Sequence, residues 1–255
     1  MKQEDNLINN SQKINNNYQN NCSLHLVDMA DLDSIKDFVN EFLALKVPLN
    51  GLVHNAGCMY HEKMVTQYNL EYNFTANLAG PYFMTELFMP LLHETFKKTK
   101  QAKVILVASG GQYTQPLRYD DFNMDKIKNF DGRDMYAVNK RQQVVLCEKW
   151  TDVYTQKTGV QFFSMHPGWV DTPVLPTAMP GFYQHYKEVL RKCPEGSDTI
   201  QWLICMNSEK LISGEFYFDR KAQSKHLKCC AYTQHNKKEV DLFYENLKKA
   251  LKCVM

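Results

Sequence analysis

Tyr136 and Lys140 lie four positions apart, the interval that puts two side chains on one face of a helix. A phenol beside an ammonium can do acid/base chemistry. An unperturbed tyrosine gives up its proton at about pH 10, and a neighbouring cation favours the phenolate and lowers that value. The spacing alone is weak evidence, because Tyr183/Lys187, Tyr217/Lys221 and Tyr244/Lys248 share it. What separates Tyr136/Lys140 is its company. The pair falls on an expected helix between one strand that ends at Ser109 and another that ends at Pro167-Gly168. A serine at a strand tip can hydrogen-bond a substrate oxygen as charge develops on it. Together these residues suit proton transfer to or from an alcohol or carbonyl.

The elements that must position them follow from hydrophobic periodicity. Short apolar runs at residues 24–27, 49–54, 104–108, 160–165 and 215–218 read as strands. Between them, helical spacing covers residues 31–45, 68–93 (broken at Gly80-Pro81), 135–155 and 197–206, and residues 240–251 read as an amphipathic terminal helix. That terminal helix is basic, and it is expected to pack on the sheet edge with its lysines solvated or to dock on a partner. Strands alternating with helices predict a parallel α/β sheet covered on both faces. Ligands bind such sheets at the carboxyl ends of the strands, where Asp28, Asn55-Ala56-Gly57, Ser109-Gly110-Gly111 and Pro167-Gly168 all fall. Residues 23–255 show no repeat and no linker, so one domain is expected. Residues 1–22 form a polar, Asn-rich arm or weak helix, too polar for a signal peptide.

Composition excludes several classes. A net charge of +2 gives no reason to expect nucleic acid. No apolar run approaches the roughly 20 residues of a membrane span. The eight cysteines include no Cys-x-x-Cys pair and no zinc-ligand spacing, so no metal site is expected. Without a secretory signal they read as reduced thiols of a cytoplasmic protein.

Five ordered motifs then carry a resemblance. They are Leu26-Val27-Asp28-Met29-Ala30-Asp31, His54-Asn55-Ala56-Gly57-Cys58-Met59, Val107-Ala108-Ser109-Gly110-Gly111, the helix opening Tyr136-Ala137-Val138-Asn139-Lys140, and His166-Pro167-Gly168-Trp169-Val170-Asp171-Thr172-Pro173. From about residue 23 to residue 220 the chain resembles the short-chain dehydrogenase/reductase family, and within it the member-12 type. The resemblance implies a Rossmann-like doubly wound parallel sheet, a nicotinamide cofactor (NADP or NAD) and a small-molecule alcohol or carbonyl substrate. It implies that Tyr136 is the acid/base and that Lys140 holds the nicotinamide ribose and tunes Tyr136. Ser109 would orient the substrate, and Asn77 would hold a water of the proton relay. Asp28 and Asn55, with Ala56 and Gly57, would line the cofactor groove, and Val170 and Thr172 would touch the carboxamide. Residues 173–194, with Met179, Phe182, Tyr183 and Tyr186, would form the substrate loop; their apolar character fits either a lipophilic substrate or plain packing. A homo-oligomer through the helices holding Asn77 and Tyr136 is implied by the same analogy.

One family feature is missing. The Gly-rich turn that lets backbone approach a pyrophosphate at a helix N-terminus has no counterpart, since no glycine precedes Gly51. The sequence therefore reads as an N-terminally truncated member, lacking the first two strands and that turn. Strand 24–27 would then lie two strand positions, about 9–10 Å, from strand 49–54, and must collapse against it or stay unpaired. Two function classes stay open: an oxidoreductase, or a catalytically impaired binding or scaffold protein.

Overall fold

The structure, a computed structural model, describes residues 22–227 and 233–252. The polar arm lies outside the described residues except for Cys22, as do Cys229, Cys230 and Cys253. The elements, in order, are α1 (Leu32–Ala44), β1 (Gly51–His54), α2 (Gly80–Thr99), β2 (Lys103–Val107), α3 (Gly132–Trp150), β3 (Gln161–Met165), α4 (Leu175–Ala178), α5 (Pro180–Tyr186), α6 (Cys193–Cys205), β4 (Phe216–Phe218), β5 (Lys221–Gln223) and α7 (Lys237–Leu251). The sheet runs β1-β2-β3-β4-β5, parallel through β4, with β5 antiparallel at the far edge. The α/β class expected from the alternation is what forms. The hairpin to β5 was not foreseen: Lys221-Ala222-Gln223 is short and mostly exposed, with no apolar face to betray it.

Side-chain alternation sorts the strands onto two cores. Val104, Leu106 and Phe162 face one way, onto α1, α2, α3 and α7. Ile105, Val107, Phe163 and Met165 face the other way, onto Leu203 of α6, Leu211 and Tyr217. A slip of one residue would exchange these faces, so the register is strongly held.

Residues 24–27 do not form the expected strand. They run as irregular chain, with Leu24 42% and Leu26 58% exposed. Their apolar content is right, but among the described residues no strand lies beside them to take their hydrogen bonds, and β1 is the sheet edge. Of the two alternatives, strand 24–27 stays unpaired. Asp28 then closes a turn instead: its carboxylate accepts from the Ala30 N–H at 2.8 Å, and its carbonyl accepts from the Asp31 N–H at 3.1 Å. Asp31 caps α1, accepting from the amides of Asp33 and Ser34.

The helix through Gly80-Pro81 is not broken either. A helical turn (Tyr72–Phe74) leads through a π-helical segment (Thr75–Ala79) directly into α2. Pro81 has no N–H, so the carbonyl four residues earlier, that of Asn77, loses its helical partner. The chain absorbs this by widening one turn, in which the Gly80 N–H reaches Thr75 O. Nor does α7 pack on the sheet edge. Phe243, Tyr244, Leu247 and Leu251 are buried in the main core against α2 and α3. Phe243 meets Phe122 at 6.1 Å, Tyr244 meets Tyr82 at 6.0 Å, and Lys149 pairs with Asp241 at 2.6 Å.

Candidate active site

The candidate residues converge at the carboxyl ends of β1, β2 and β3. Ser109 follows β2 and caps a short 3-10 helix (Gly110–Tyr113), its Oγ accepting from the Gly111 N–H at 3.2 Å. Tyr136 and Lys140 lie one turn apart on α3, with the Lys140 ammonium 5.1 Å from the Tyr136 ring centre. That ammonium donates to the Val107 carbonyl at 2.7 Å. Lys140 is nearly fully buried.

The electrostatics correct one expectation. Burial pushes the Tyr136 phenol up to about 12, against a hydrogen bond from Ser109 that pulls it down. The same burial pushes the Lys140 ammonium down to about 8. Desolvation disfavours both charged forms, and the ammonium is directed at a main-chain carbonyl, not at the phenolic oxygen. The phenol is therefore a protonated donor near neutral pH.

Asn77 sits in the π segment and is fully buried. Its side chain accepts from the Cys58 N–H and donates to the Cys58 carbonyl, both at 2.9 Å. Its main-chain oxygen, freed by Pro81, accepts from Gln143 Nε2 at 2.6 Å. The polar groups expected to hold a relay water are thus engaged by protein. Asn73, one turn earlier, repeats the clamp: its Oδ1 accepts from the Tyr60 N–H at 2.7 Å and its Nδ2 donates to the Tyr60 carbonyl at 3.0 Å. Together the two asparagines fix the chain just after Asn55-Ala56-Gly57. Gln143 and Asn73 were not singled out from the sequence, though a proline four residues after Asn77 and a second asparagine four before it were signals for both.

Asn55, Ala56 and Gly57 are exposed and line a cavity of about 400 Å³, together with Cys58, Tyr136, Lys140 and Thr172. A Cβ on Gly57 would come within 3.2 Å of Asn77 Oδ1 and 3.7 Å of Lys140 Nζ, so the glycine keeps this groove open. A second cavity of about 430 Å³ adjoins it, lined by Ser109, Tyr136, His166, Val170 and Thr172 among polar and small groups, and by Met59, Trp169, Leu175, Met179 and Phe182. Met59, Tyr136, Pro167, Thr172, Leu175 and Met179 line both. Asp28 lines neither; it is occupied in its own turn. His54 is buried, pushed down to about 3 by desolvation, and bonded to Thr85 Oγ1 at 2.8 Å. Thr85 gives its own hydrogen to Pro81 O at 2.8 Å, so His54 Nε2 is the donor.

The loop over the second cavity is tethered. Arg191 forms a two-pronged ion pair with Asp219, at 2.6 and 2.7 Å, and reaches Pro167 O at 3.4 Å. Its guanidinium lies 4.9 Å over Phe218. Gly168 has φ +85, and a Cβ there would meet Arg191 at 2.7 Å. Arg191 was also missed; its partner Asp219 lies 28 positions away and nothing local links them.

A parallel sheet with this tyrosine, lysine and serine at its carboxyl edge defines the class: the chain belongs to the short-chain dehydrogenase/reductase family. The family model for short chain dehydrogenases matches residues 1–118. Among curated proteins, the chain is 41% identical over 208 residues to the human protein named Dehydrogenase/reductase SDR family member 12, covering 81% of this chain and 63% of that one. It is 26% identical over 216 residues to a polyprenol dehydrogenase of Danio rerio, covering 78% and 66%. The chain thus spans about 63% of the length of its member-12 relative. Among solved structures, an NADPH-bound carbonyl reductase from chicken fatty liver shares the fold with a TM-score of 0.58 at 19% identity, over 80% of this chain and 77% of that one. An alcohol dehydrogenase from Thermococcus sibiricus, complexed with 5-hydroxy-NADP, has a TM-score of 0.59 at 17% identity, over 84% and 80%. Among the described residues no helix is long and apolar enough to cross a membrane.

Proposed function

We propose that this chain is an alcohol/carbonyl oxidoreductase that takes a lipophilic substrate and a nicotinamide cofactor. One observation carries the reading. Tyr136 lies in the wall that two adjoining cavities share, one also lined by Asn55, Ala56, Gly57 and Lys140, the other by Ser109, Trp169 and Phe182. A group bound in the first can face a substrate bound in the second across the phenol. When bound, the nicotinamide supplies or accepts the hydride. Lys140 would hold the ribose, giving up its bond to Val107 O, and Val170 and Thr172 would meet the carboxamide. The residues present fit this end of a nicotinamide cofactor. For the diphosphate, the described residues offer no glycine-rich turn beside β1.

In the reducing direction Ser109 holds the carbonyl oxygen and the Tyr136 phenol, held up at about 12, delivers a proton to it. Trp169 and Phe182, with Met59, Leu175 and Met179 from the shared wall, favour an apolar chain or ring system, in keeping with a relative named for polyprenol. NADPH-dependent loss of a long-chain aldehyde or ketone, abolished in Tyr136→Phe, is the expected result. No thermal shift with NADPH or NADH at millimolar concentration would defeat the reading for this chain.

A scaffold reading rests on a different observation: among the described residues β1 presents an unpaired edge, and the Lys140 ammonium is already satisfied by Val107. On that reading Tyr136→Phe changes no binding property and neither cofactor raises the melting temperature. Pairing of two copies through α2 and α3 is not favoured, because α7 of the same chain covers that face.

A further inference from the structure

His166 lines the apolar cavity beside Ser109 and Tyr136, and the proton-transfer scheme leaves it idle. Its Nδ1 accepts the main-chain N–H of Gly110 at 3.1 Å. A main-chain amide can only donate, so Nδ1 carries no proton and Nε2 carries one. This fixes the tautomer, as a hydrogen bond to the other ring nitrogen does for many functional imidazoles. The ring lies nearly flat on Phe218, 5.2 Å between centres and 25° between planes, which fixes its orientation as well. Among the described residues Nε2 has no hydrogen-bond partner, and it is not among the buried polar atoms left without one. On a residue of the cavity wall, an N–H left free by the protein is open to a bound ligand.

We infer that His166 is a specificity-determining residue: its Nε2–H selects substrates that carry a second, uncharged hydrogen-bond acceptor close to the reacting oxygen. The inference rests on the pocket assignment proposed above and deepens it.

The charges around the cavity argue that the acceptor is neutral. Desolvation holds His166 down at about 4, with the Arg191 cation adding to it, so the imidazole donates without bringing a positive charge. Arg133, the cation on the lining, is taken by Asp131 through two contacts at 3.2 and 2.7 Å. Asp134, also on the lining, adds a negative charge. Arg191, behind Gly168, is neutralised by Asp219. A carboxylate or phosphate would find no free cation there, whereas an ether, hydroxyl or ketone oxygen would gain one hydrogen bond in an apolar setting. Leaving a buried donor unmatched costs more than making the bond gains, so a substrate without the second oxygen is penalised. The discrimination has the size of one neutral hydrogen bond, about tenfold in affinity.

The test compares a long-chain methyl ketone with its methoxymethyl ketone analogue, which adds an acceptor and no donor. Binding is read by intrinsic tryptophan fluorescence, with and without NADPH, on the full chain. His166→Gln can accept from Gly110 and still donate; His166→Phe keeps the ring stacked on Phe218 and loses the donor. Circular dichroism and melting temperature confirm that each variant folds. Expected is an about tenfold preference for the methoxy ligand in the wild type and in His166→Gln, and none in His166→Phe. A preference retained in His166→Phe overturns the inference, as does its absence in a wild type that binds both ligands. Binding of neither ligand to folded protein defeats the pocket assignment itself, and the inference falls with it.

Discussion

The main-chain oxygen of Asn77 is bonded to the side-chain amide of Gln143 at 2.6 Å. This contact joins the π segment before α2 to the middle of α3, one turn beyond Lys140. It exists because Pro81 cannot donate to that oxygen. The two helices that frame the candidate site are therefore locked at the residue where the first of them is irregular.

Gln143→Leu removes the donor and leaves a buried carbonyl unmatched. A loss of about 1–3 kcal/mol in unfolding free energy is expected, read from urea denaturation. Gln143→Glu should cost at least as much, because a carboxylate cannot donate to Asn77 O. A change within experimental error in both variants would show that the contact carries no stability.

Tyr136→Phe removes one hydroxyl from a ring that packs in place. Turnover is expected to fall by several orders of magnitude, as the proton donor is lost, while the melting temperature moves by no more than a few degrees. Ser109→Ala should reduce turnover about 100-fold, through loss of one donor to the developing charge. It should also weaken the cap of the 3-10 helix.

The protein should lose stability as the pH falls below about 6.5. His54 and His166 sit at about 3 and about 4, below their ordinary value of 6.5. His226 is also lowered, mainly by desolvation and then by the adjacent Arg141 guanidinium. A depressed histidine binds fewer protons folded than unfolded. Its contribution is complete above about pH 6.5 and is lost as pH falls below it. Each such group should contribute a slope of about 1.4 kcal/mol per pH unit between its folded value and about 6.5. Urea midpoints taken from pH 7.5 to pH 4.5 would show the slope, and His54→Asn should flatten it by one group's share.

Leu247→Ala in α7 should destabilise the whole domain by about 2–5 kcal/mol, because its side chain is fully buried in the main core. A local, non-cooperative fraying of α7 in hydrogen exchange, with α2 and α3 still protected, would contradict this.

Much of this architecture could be read from periodicity. Val104, Ile105, Leu106 and Val107 marked β2 as a strand buried on both faces, and the spacing of Phe243, Leu247 and Leu251 marked α7. What failed were properties of pairs distant in sequence. Residues 24–27 are apolar enough for a strand, but a strand also needs a neighbour. The helical stripe showed that α7 has an apolar face without saying what it covers. In the site, type and spacing singled out Ser109, Tyr136 and Lys140 as candidates, whereas the protonation of Tyr136 depends on how deeply the surrounding chain buries it. Asn77 was also a candidate, but the partner of its carbonyl lies 66 positions away.

The position of α7 in the sequence also sets an order of events during synthesis. The helix pairs at residues 72–99 and 132–150 leave the ribosome long before residues 237–251. At about 5–20 residues per second, the apolar face over Tyr82, Phe122 and Trp150 waits several seconds for the segment that shields it. During that interval the nascent chain presents a sticky surface, and a chaperone that holds it should raise the yield of folded protein more than one that acts after release.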